Sequence, residues 1–397
     1  MNTRAHEGRT ADVIVIGGGV IGSAVACELS RRGADVLLLE KGVPGFGSTG
    51  RSSAIIRQHY SNALTTRMAR DSLRVFAHFD DAVGGDCGFR QTGFLAIAGE
   101  ADAESLRHNV AIQHDLGIPA RIVTPDELGD LLPGGMGNAG ELAAWEPDAG
   151  YADPQGTLQG YLDGARRHGA RIAINREVTG IRFDGDRVVG VDTATERYDA
   201  PHIVNCAGPW AARVGAMAGL RVPVNSSRAQ IAMFRRPAGH ETPHPVVIDL
   251  ALGSYFREET GQLTLVGSID PAEGNDLVDP DRYPESVEDA FVADIGKRWL
   301  RRCPAMELAE TRDGYSGVYA VTPDWHPIID EAPEGSGHFL CVGFSGHGFK
   351  LAPAVGVLTA DLVLRNPAPA YDAQAFAAAR FAAGKVLGGS YEYSITG

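Results

Sequence analysis

The feature that most constrains the fold is a run of glycines near the start of the chain, Gly17-Gly18-Gly19-Val20-Ile21-Gly22. The stretch before it, DVIVIG, is a short β-branched run typical of a fully buried parallel strand. Residues 23–32 then carry apolar side chains at helical spacing, and a second apolar run, DVLLLE, ends at Glu40. Strand, glycine turn, helix, strand and terminal acid together predict a βαβ unit that binds a dinucleotide.

Each glycine of this run has a physical task in such a unit. We expect Gly17 to permit a tight turn, Gly19 to let the backbone approach a pyrophosphate, and Gly22 to let the helix pack closely on the strand. The pyrophosphate would lie at the positive N-terminus of the helix. Glu40 has the spacing expected of a carboxylate that binds ribose hydroxyl groups. The alternative is a glycine-rich turn in an unrelated α/β protein.

The composition disfavours several classes of protein. The 397 residues suffice for two domains with a large core, and 44% of them are hydrophobic, as in ordinary globular enzymes. A net charge of −14 disfavours nucleic acid and anionic membranes as partners, and no apolar run is long enough for a membrane span. The five cysteines are scattered without a CxxC pair. This pattern predicts neither a disulfide framework nor a metal site, and it favours reduced thiols in the cytoplasm.

The order of the predicted elements indicates two interleaved domains. Residues 85–150 and 223–320 contain strand-like stretches such as QTGFLAIA and QLTLVG, which predict an antiparallel sheet with accompanying helices. Residues 1–84, 151–222 and 321–397 contain the glycine run and two further buried strands, HIVNCAG and HFLCVG, and they predict the nucleotide-binding domain. Such interleaving places a ligand cleft between the two domains.

Six stretches along the chain carry a family resemblance: GGGVIG with Glu40, GSTGRSSAIIRQHY, EPDAGYADP, IVNCAGPWA, GVYAVTPDWHPII and GFSGHGFKLAPAVG. Over residues 11–365 they resemble the D-amino-acid oxidase superfamily, and within it the sarcosine oxidase and glycine oxidase branch. The resemblance implies an FAD-binding Rossmann-like domain of the glutathione-reductase type, interleaved with an antiparallel-sheet α+β substrate domain. It also implies oxidation of the C–N bond of an amino acid or N-methyl amino acid to an imine, by hydride transfer to flavin N5.

The resemblance assigns three residues to the substrate site. Arg57, in AIIRQHY, matches an arginine that binds the substrate carboxylate, and a guanidinium fork suits such a two-point contact. Lys350 is the second carboxylate-binding candidate, and it lies between the turn GFSGHG and a helix predicted over 351–364, in a chain with only four lysines. Tyr319 matches a tyrosine that lines the pocket near the flavin. The alternatives are a surface arginine, a solvated lysine at a helix start and a plain strand tyrosine.

The resemblance also assigns a set of residues to the cofactor. The turn before Lys350 would face the flavin pyrimidine ring, Val178 would meet the adenine end, and Ala207-Gly208 would lie near the nucleotide. We expect His347 to pack or to touch the flavin rather than to act as a general base. The full predicted set is Gly17, Gly19, Val20, Ile21, Gly22, Glu40, Lys41, Ser48, Thr49, Arg51, Ser52, Ser53, Val178, Ala207, Gly208, Gly346, His347, Gly348, Phe349 and Lys350.

Departures from the family pattern predict noncovalent FAD and leave the electron acceptor open. Some relatives attach FAD through a cysteine whose position is Gly317 here, and others through a histidine whose position is Arg51. Sarcosine oxidases place a lysine near flavin N5, but the corresponding stretch, GQLTLVGS, has none. The acceptor is therefore either O₂ or another molecule, and the chain is either an oxidase or a dehydrogenase.

Two other functions fit the same sequence. One is the flavin-binding dehydrogenase subunit of a heteromeric amine-oxidising complex, inactive on its own. The other is an FAD-dependent hydroxylase or hydroxy-acid dehydrogenase, against which GFSGHGFK and the lack of a second nucleotide motif for NADPH both argue. The substrate stays open among glycine, sarcosine, cyclic imino acids and D-amino acids, because each presents an amine and a carboxylate.

Overall fold

The computed structural model describes residues 9–270 and 276–391. Its strands, in chain order, are β1 (Val13–Ile16), β2 (Val36–Leu39), β3 (Ile55–Ile56), β4 (Phe94–Ala98), β5 (Arg121–Val123), β6 (Leu142–Glu146), β7 (Gly150–Tyr151), β8 (Arg171–Ala173), β9 (Val178–Asp184), β10 (Arg187–Thr193), β11 (Arg197–Asp199), β12 (His202–Asn205), β13 (Asn225–Arg235), β14 (Val246–Asp249), β15 (Ser254–Glu259), β16 (Leu263–Ser268), β17 (Glu310–Val321), β18 (Ile328–Glu331) and β19 (His338–Val342). Its α-helices are α1 (Val20–Arg31), α2 (Ala63–Ala77), α3 (Phe79–Ala82), α4 (Ala103–Asp115), α5 (Pro125–Leu131), α6 (Pro154–Arg167), α7 (Ala211–Met217), α8 (Asp289–Arg302), α9 (Gly348–Val363) and α10 (Ala379–Ala382).

The glycine run leads from β1 into α1, and α1 leads on to β2. β1 and β2 are neighbours in a six-stranded sheet with the order β18-β19-β12-β1-β2-β8. β1 pairs in parallel with both β2 and β12, and only β18 runs antiparallel to its neighbour in this sheet. Every side chain of β1 and β2 is buried, since the sheet is covered on both faces. That burial explains why the two strands are continuous apolar runs rather than alternating ones.

Alternate residues of β1 face opposite sides of the sheet. Val13 and Val15 pack into a core that contains α1 and α9, whereas Ile14 and Ile16 pack against the antiparallel sheet formed by β9, β10 and β11. On the helical side, α1 contacts both α6 and α9. The layers of helices, parallel sheet and small antiparallel sheet hold the glycine turn at the edge where the parallel strands end.

The second sheet has eight strands in the order β17-β13-β16-β15-β14-β4-β6-β5. Its pairs are antiparallel except for β14 with β4, which pair in parallel. The expected antiparallel sheet is confirmed apart from this one pair, in which β4 and β14 come from separate segments of the chain and are not joined by a hairpin. Helix α8 covers one face of this sheet, where Trp299 stacks on Phe234.

The positions of the strands follow the predicted segments closely. All six strands of the first sheet lie in 1–84, 151–222 and 321–397, and the eight strands of the second lie in 85–150 and 223–320 except for the last residue of β17. The predicted α/β class, with a parallel nucleotide-binding sheet and a second mainly antiparallel sheet, is confirmed. The division into two domains at those boundaries stays a prediction.

Candidate active site

A deep cavity opens where β1 and β12 end. It encloses about 1530 Å³, including the part that is open to solvent, and the glycine turn, the loop after Glu40, strand β17 and the turn before α9 form its walls. Tyr319 lines it. The predicted cofactor residues on its walls are Gly17, Gly19, Val20, Ile21, Glu40, Lys41, Ser48, Thr49, Arg51, Ser52, Ser53, Val178, Ala207, Gly208, Gly346, Gly348 and Phe349. The predicted residues that do not line it are Gly22, Arg57, His347 and Lys350.

The glycine turn is packed too closely for side chains. Gly17 has φ +110°, and a Cβ atom there would lie 2.5 Å from the carbonyl oxygen of Cys206. A Cβ atom on Gly22 would lie 2.0 Å from the carbonyl oxygen of Gly17, so Gly22 lets α1 pack on the turn and does not face the cavity. Helix α1 has a glycine at its N-cap and no acidic residue in its first turn, and Thr49 Oγ1 accepts only the N–H of Val20, at 3.0 Å. Its N-terminus therefore offers N–H groups and a positive end to an anion.

Glu40 braces the glycine turn as well as lining the cavity. One carboxylate oxygen accepts a hydrogen bond from the N–H of Gly18 at 2.7 Å, and the other accepts from the N–H of Gly42 at 2.8 Å. Each oxygen has a further lone pair that can accept from a hydroxyl group. The sequence pattern indicated the ribose role alone, because a spacing of residues does not show what a carboxylate does to the turn beside it.

An acidic segment of the chain, residues 276–288, contacts the cationic side chains of the cavity wall. Asp281 accepts hydrogen bonds from Lys41 at 2.5 Å and from the indole of Trp210 at 2.9 Å, and it also pairs with Arg213. Glu285 pairs with Arg51 at 3.0 Å. Lys41 and Arg51, which were predicted to touch the cofactor, are thus held by acids from the other end of the cleft. No motif marks this segment in the sequence.

The structure brings Arg57 and Lys350 together from opposite ends of the chain. Arg57 follows β3 and is 2% exposed; its guanidinium donates to the carbonyl oxygen of His59 and lies 4.4 Å from the ring centroid of Tyr60. Lys350 is the third residue of α9 and is 6% exposed. Helix α9 begins at Gly348, three residues before the predicted start. The cavity reaches the neighbouring Gly348 and Phe349, so Lys350 lies just behind its wall.

Burial is the main influence on the pKa values of Lys350 and of the nearby His347. Burial first, and then the charge of Arg57, hold the pKa of Lys350 well below its usual range. The pKa of His347 is likewise far below its ordinary value, mainly through burial and then through Lys350. His347 Nε2 lies 2.7 Å from the carbonyl oxygen of Trp325, and its ring packs edge-on against Tyr60. His347 is therefore neutral and packed, which is consistent with the packing role expected for it.

A buried polar cluster lies on the other side of Arg57. Glu146 at the end of β6 is fully buried and accepts hydrogen bonds from the N–H of Gln58 at 2.8 Å and from Gln113 Nε2 at 2.6 Å. Burial raises the pKa of Glu146 to about 7, against the opposing effect of these bonds and of Arg57. Burial and then Arg57 lower the pKa of His59 to about 3. Sequence analysis missed this cluster, although EPDAG and RQHY contain its members.

Tyr319 of β17 pairs with a tyrosine from another strand of the second sheet. Tyr255 on β15 is buried and hydrogen-bonded to both Tyr319 and Ser53, and burial raises its pKa well above the usual value. Arg257, two residues along the same face, donates to the carbonyl oxygen of Ser53 at 2.6 Å. These bonds anchor the segment that leads to Arg57 on the substrate-side sheet. Neither Tyr255 nor Arg257 stands out in the sequence, because both lie in an ordinary alternating strand.

Strained backbone is concentrated beside these residues. Ala54, Ser345 and Trp325 have φ values of 50°, 47° and 60°, in the left-handed region that non-glycine residues rarely adopt. Ala54 precedes the strand that leads to Arg57, Ser345 lines the cavity, and Trp325 binds His347 through its carbonyl group. Such strain persists only where the surroundings determine the conformation, which is common at functional sites.

Residues 9–270 and 276–391 lack two further kinds of functional feature. No three His, Cys, Asp or Glu side chains there come together as a metal site. No helix in the same residues has the length and apolar character needed to cross a membrane.

Comparison with known proteins agrees with this geometry. The sequence profile of the DAO family, described as FAD dependent oxidoreductase, matches residues 12–362. Glycine oxidase from Geobacillus kaustophilus is 28% identical over 382 residues, covering 93% of this chain and 97% of that protein. Sarcosine dehydrogenase, mitochondrial, from Homo sapiens is 28% identical over 378 residues, covering 90% of this chain but 40% of that protein. The chain thus spans less than half the length of some curated relatives that it matches.

Two solved structures show the same fold over almost the whole chain. L-proline dehydrogenase from P. horikoshii has a TM-score of 0.87 and 27% identity, covering 96% of this chain and 100% of that one. Glycine oxidase from Geobacillus kaustophilus has a TM-score of 0.79 and 26% identity, covering 93% and 98%. The predicted family and the predicted cofactor, FAD, are confirmed. With its dinucleotide cavity at the edge of the parallel sheet, the chain belongs to the DAO family of FAD dependent oxidoreductases.

Proposed function

We propose that this chain oxidises the C–N bond of an α-amino acid with a primary or secondary amine, giving an imine that water hydrolyses. The observation that supports the proposal most is that the basic side chains of Arg57 and Lys350 lie near each other. Both side chains are buried, they act on each other electrostatically, and they lie next to the turn that closes the cavity. A carboxylate is the substrate group that a guanidinium fork and an amine bind best together.

The residues of the cavity fit FAD. The start of α1 suits the pyrophosphate, Glu40 retains lone pairs for the ribose, and the turn at residues 346–349 would hold the flavin ring. When bound, FAD supplies the acceptor for the hydride. Noncovalent attachment is supported at Gly317, where a Cβ atom would lie 3.2 Å from the Cβ of Arg51. The arginine already fills the space in which some relatives carry their linking cysteine.

The chain's own part in the reaction is to bind and to orient. In the proposed complex, Arg57 holds both carboxylate oxygens of the substrate and Lys350 holds one of them, which fixes the α-carbon toward the cavity. Holding the reacting carbon in place converts binding energy into rate. Tyr319 lines the wall on the side of the second sheet, and its hydrogen bond to the buried Tyr255 holds it in place.

The test compares an amino acid with its decarboxylated amine, read out as bleaching of the flavin without oxygen. Wild type should strongly prefer the acid. Arg57→Ala should lose on the order of 2–4 kcal/mol in kcat/KM for the acid, because a desolvated carboxylate loses its main partner, and little for the amine. Arg57→Lys keeps the charge but not the fork, and it should also be impaired.

Arg312→Ala is a matched control. Arg312 pairs with Glu310 at the surface and should leave the preference unchanged. We call the proposed site formed by Arg57 and Lys350 the carboxylate clamp. If wild type and Arg57→Ala prefer the acid over the amine to the same degree, the carboxylate clamp is refuted, and with it the amino-acid substrate. Repeating the bleaching and then admitting oxygen identifies the acceptor: rapid return of the yellow colour indicates an oxidase, and persistent bleaching indicates a dehydrogenase that needs another acceptor.

A further inference from the structure

Lys350 occupies a position that disfavours a positive charge. It is 6% exposed, so its amine is largely removed from water. It lies in the first turn of α9, where the helix dipole is positive and opposes an ammonium group. The buried cation Arg57 is close enough for its charge to act on the amine. Each of these features favours the neutral amine.

The other titratable groups near α9 do not offset this environment. His347 at the start of the helix is itself buried and held neutral, and His326 packs on it. Charged groups on the elements that pack against α9 are engaged elsewhere: Glu28 and Arg32 of α1, Asp71 of α2, and Glu331 of β18. Arg57 is the one charge in the described part of the chain that shifts the pKa of Lys350 appreciably.

The proposed reaction requires a neutral amine on the substrate. An α-amino acid in water near neutral pH carries an ammonium group, and that group has no lone pair to assist hydride departure. A base must therefore remove one proton before the C–N bond is oxidised. His347 is occupied by the carbonyl group of Trp325, and both oxygens of Glu146 are occupied behind Arg57. Among the residues that the structure describes, Lys350 is the basic group next to Arg57 that is left to take the proton.

We propose that Lys350 is a neutral amine in the free enzyme and accepts the ammonium proton of the substrate as the carboxylate docks on Arg57. This inference rests on the proposed function. One N–H bond of the substrate breaks and one forms on Lys350, so the substrate gains its lone pair and the carboxylate gains a cationic partner. No electrons move in this step. The substrate is thus received as the zwitterion and oxidised as the amine.

The mechanism restricts the substrate class. The amine and the carboxylate must be attached to the same carbon, because a lysine that contacts the carboxylate then lies within reach of the amine proton. An amino acid whose amine is several carbons away cannot deliver its proton in this way. We therefore infer that the site is selective for α-amino and α-imino acids over their longer-chain analogues.

The test uses acetate, which has the carboxylate but no ammonium group. Binding of acetate to the FAD-loaded enzyme should take up about one proton from solvent near pH 8, because Lys350 must draw its proton from water instead. Calorimetric titration in buffers of different ionisation enthalpy measures this uptake, and perturbation of the flavin spectrum reports binding independently.

Two variants identify the group that takes the proton. Lys350→Met keeps the buried stem and removes the amine, and Lys350→Arg keeps a permanent cation; proton uptake should vanish in both. For an α-amino acid, kcat/KM of Lys350→Arg should fall on the order of 100-fold at neutral pH and recover as pH rises toward the pKa of the free substrate amine.

Acetate binding without proton uptake would overturn this inference and leave the carboxylate clamp intact. Uptake that persists in Lys350→Arg would assign the proton to another group, such as His347, and would also overturn it. If acetate fails to bind and no α-amino acid bleaches the flavin, the proposed function itself is wrong. The three failures are therefore distinguishable.

Discussion

The buried carboxyl group of Glu146 should make the stability of the protein fall as pH rises from about 4.5 to about 7. The pKa of Glu146 is raised from 4.5 to about 7, chiefly by burial. Between these values the unfolded chain ionises while the folded protein keeps its proton, so the free energy of unfolding decreases with pH. A shift of this size corresponds to about 3 kcal/mol, fully expressed above pH 7.

Glu146→Gln should abolish this pH dependence. A glutamine cannot ionise, and its carbonyl oxygen can still accept from the N–H of Gln58. Gln113 must rotate its amide so that its oxygen meets the new NH₂ group, and His59, whose lowered pKa keeps it neutral, can then accept from the other side of Gln113. We expect a mispairing cost of roughly 1 kcal/mol. The variant should thus be about 2 kcal/mol more stable than wild type at pH 8 and slightly less stable at pH 5.

Urea unfolding at a series of pH values, with FAD present in excess, measures this difference. Glu307→Gln is the matched control, because Glu307 is exposed and the substitution changes the net charge equally. The free energy of unfolding of the control should differ from that of wild type by the same small amount at every pH. If Glu146→Gln and wild type instead run parallel from pH 5 to pH 8, Glu146 does not keep its proton in the folded state and the reasoning fails.

Three further predictions concern the cofactor. Gly22→Ala should yield protein with far less flavin per chain than wild type, because its Cβ would lie 2.0 Å from the carbonyl oxygen of Gly17; full yellow colour would contradict the close packing of α1 on the turn. Asp281→Asn should speed FAD dissociation severalfold, measured by recovery of flavin fluorescence, because Lys41, Trp210 and Arg213 lose the acid that links them. High salt should speed dissociation from wild type more than from the variant. Wild-type flavin that stays with acid-precipitated protein would refute noncovalent binding.

The part of the site that local sequence could predict is the part made by consecutive residues. Gly17, Gly22 and Glu40 lie in one βαβ unit, where spacing alone fixes the turn, the helix and the acid. The sequence pattern predicted only the ribose role of Glu40. Its hydrogen bonds with Gly18 and Gly42 are seen only in the structure, because they depend on how the turn closes. The resemblance added Arg57 and Lys350 through two motifs, and the structure brings these residues together.

The part that could not be predicted depends on contacts between distant segments. Asp281 reaches Lys41 and Arg213 only because the second sheet returns beside the first. Glu146 and Gln113 meet below Arg57 through β6 and α4; Glu146 begins the EPDAG motif, but nothing in the sequence connects it with Gln113. In the sequence, polar residues of this kind look like those of any loop or helix. Their charges have large effects only when the fold buries them in the low-dielectric interior.

The cofactor site and the carboxylate site are linked by one helix contact. α1 and α9 both begin at the ends of parallel strands, and both have first turns without an acidic residue. They pack so closely that a Cβ atom on Gly356 of α9 would lie 3.0 Å from the carbonyl oxygen of Ala24 of α1. In the proposed complex, the pyrophosphate would lie at the start of α1 and the substrate carboxylate at Lys350 of α9. The close packing of these two helices would then contribute to fixing the distance between the cofactor and the substrate carboxylate.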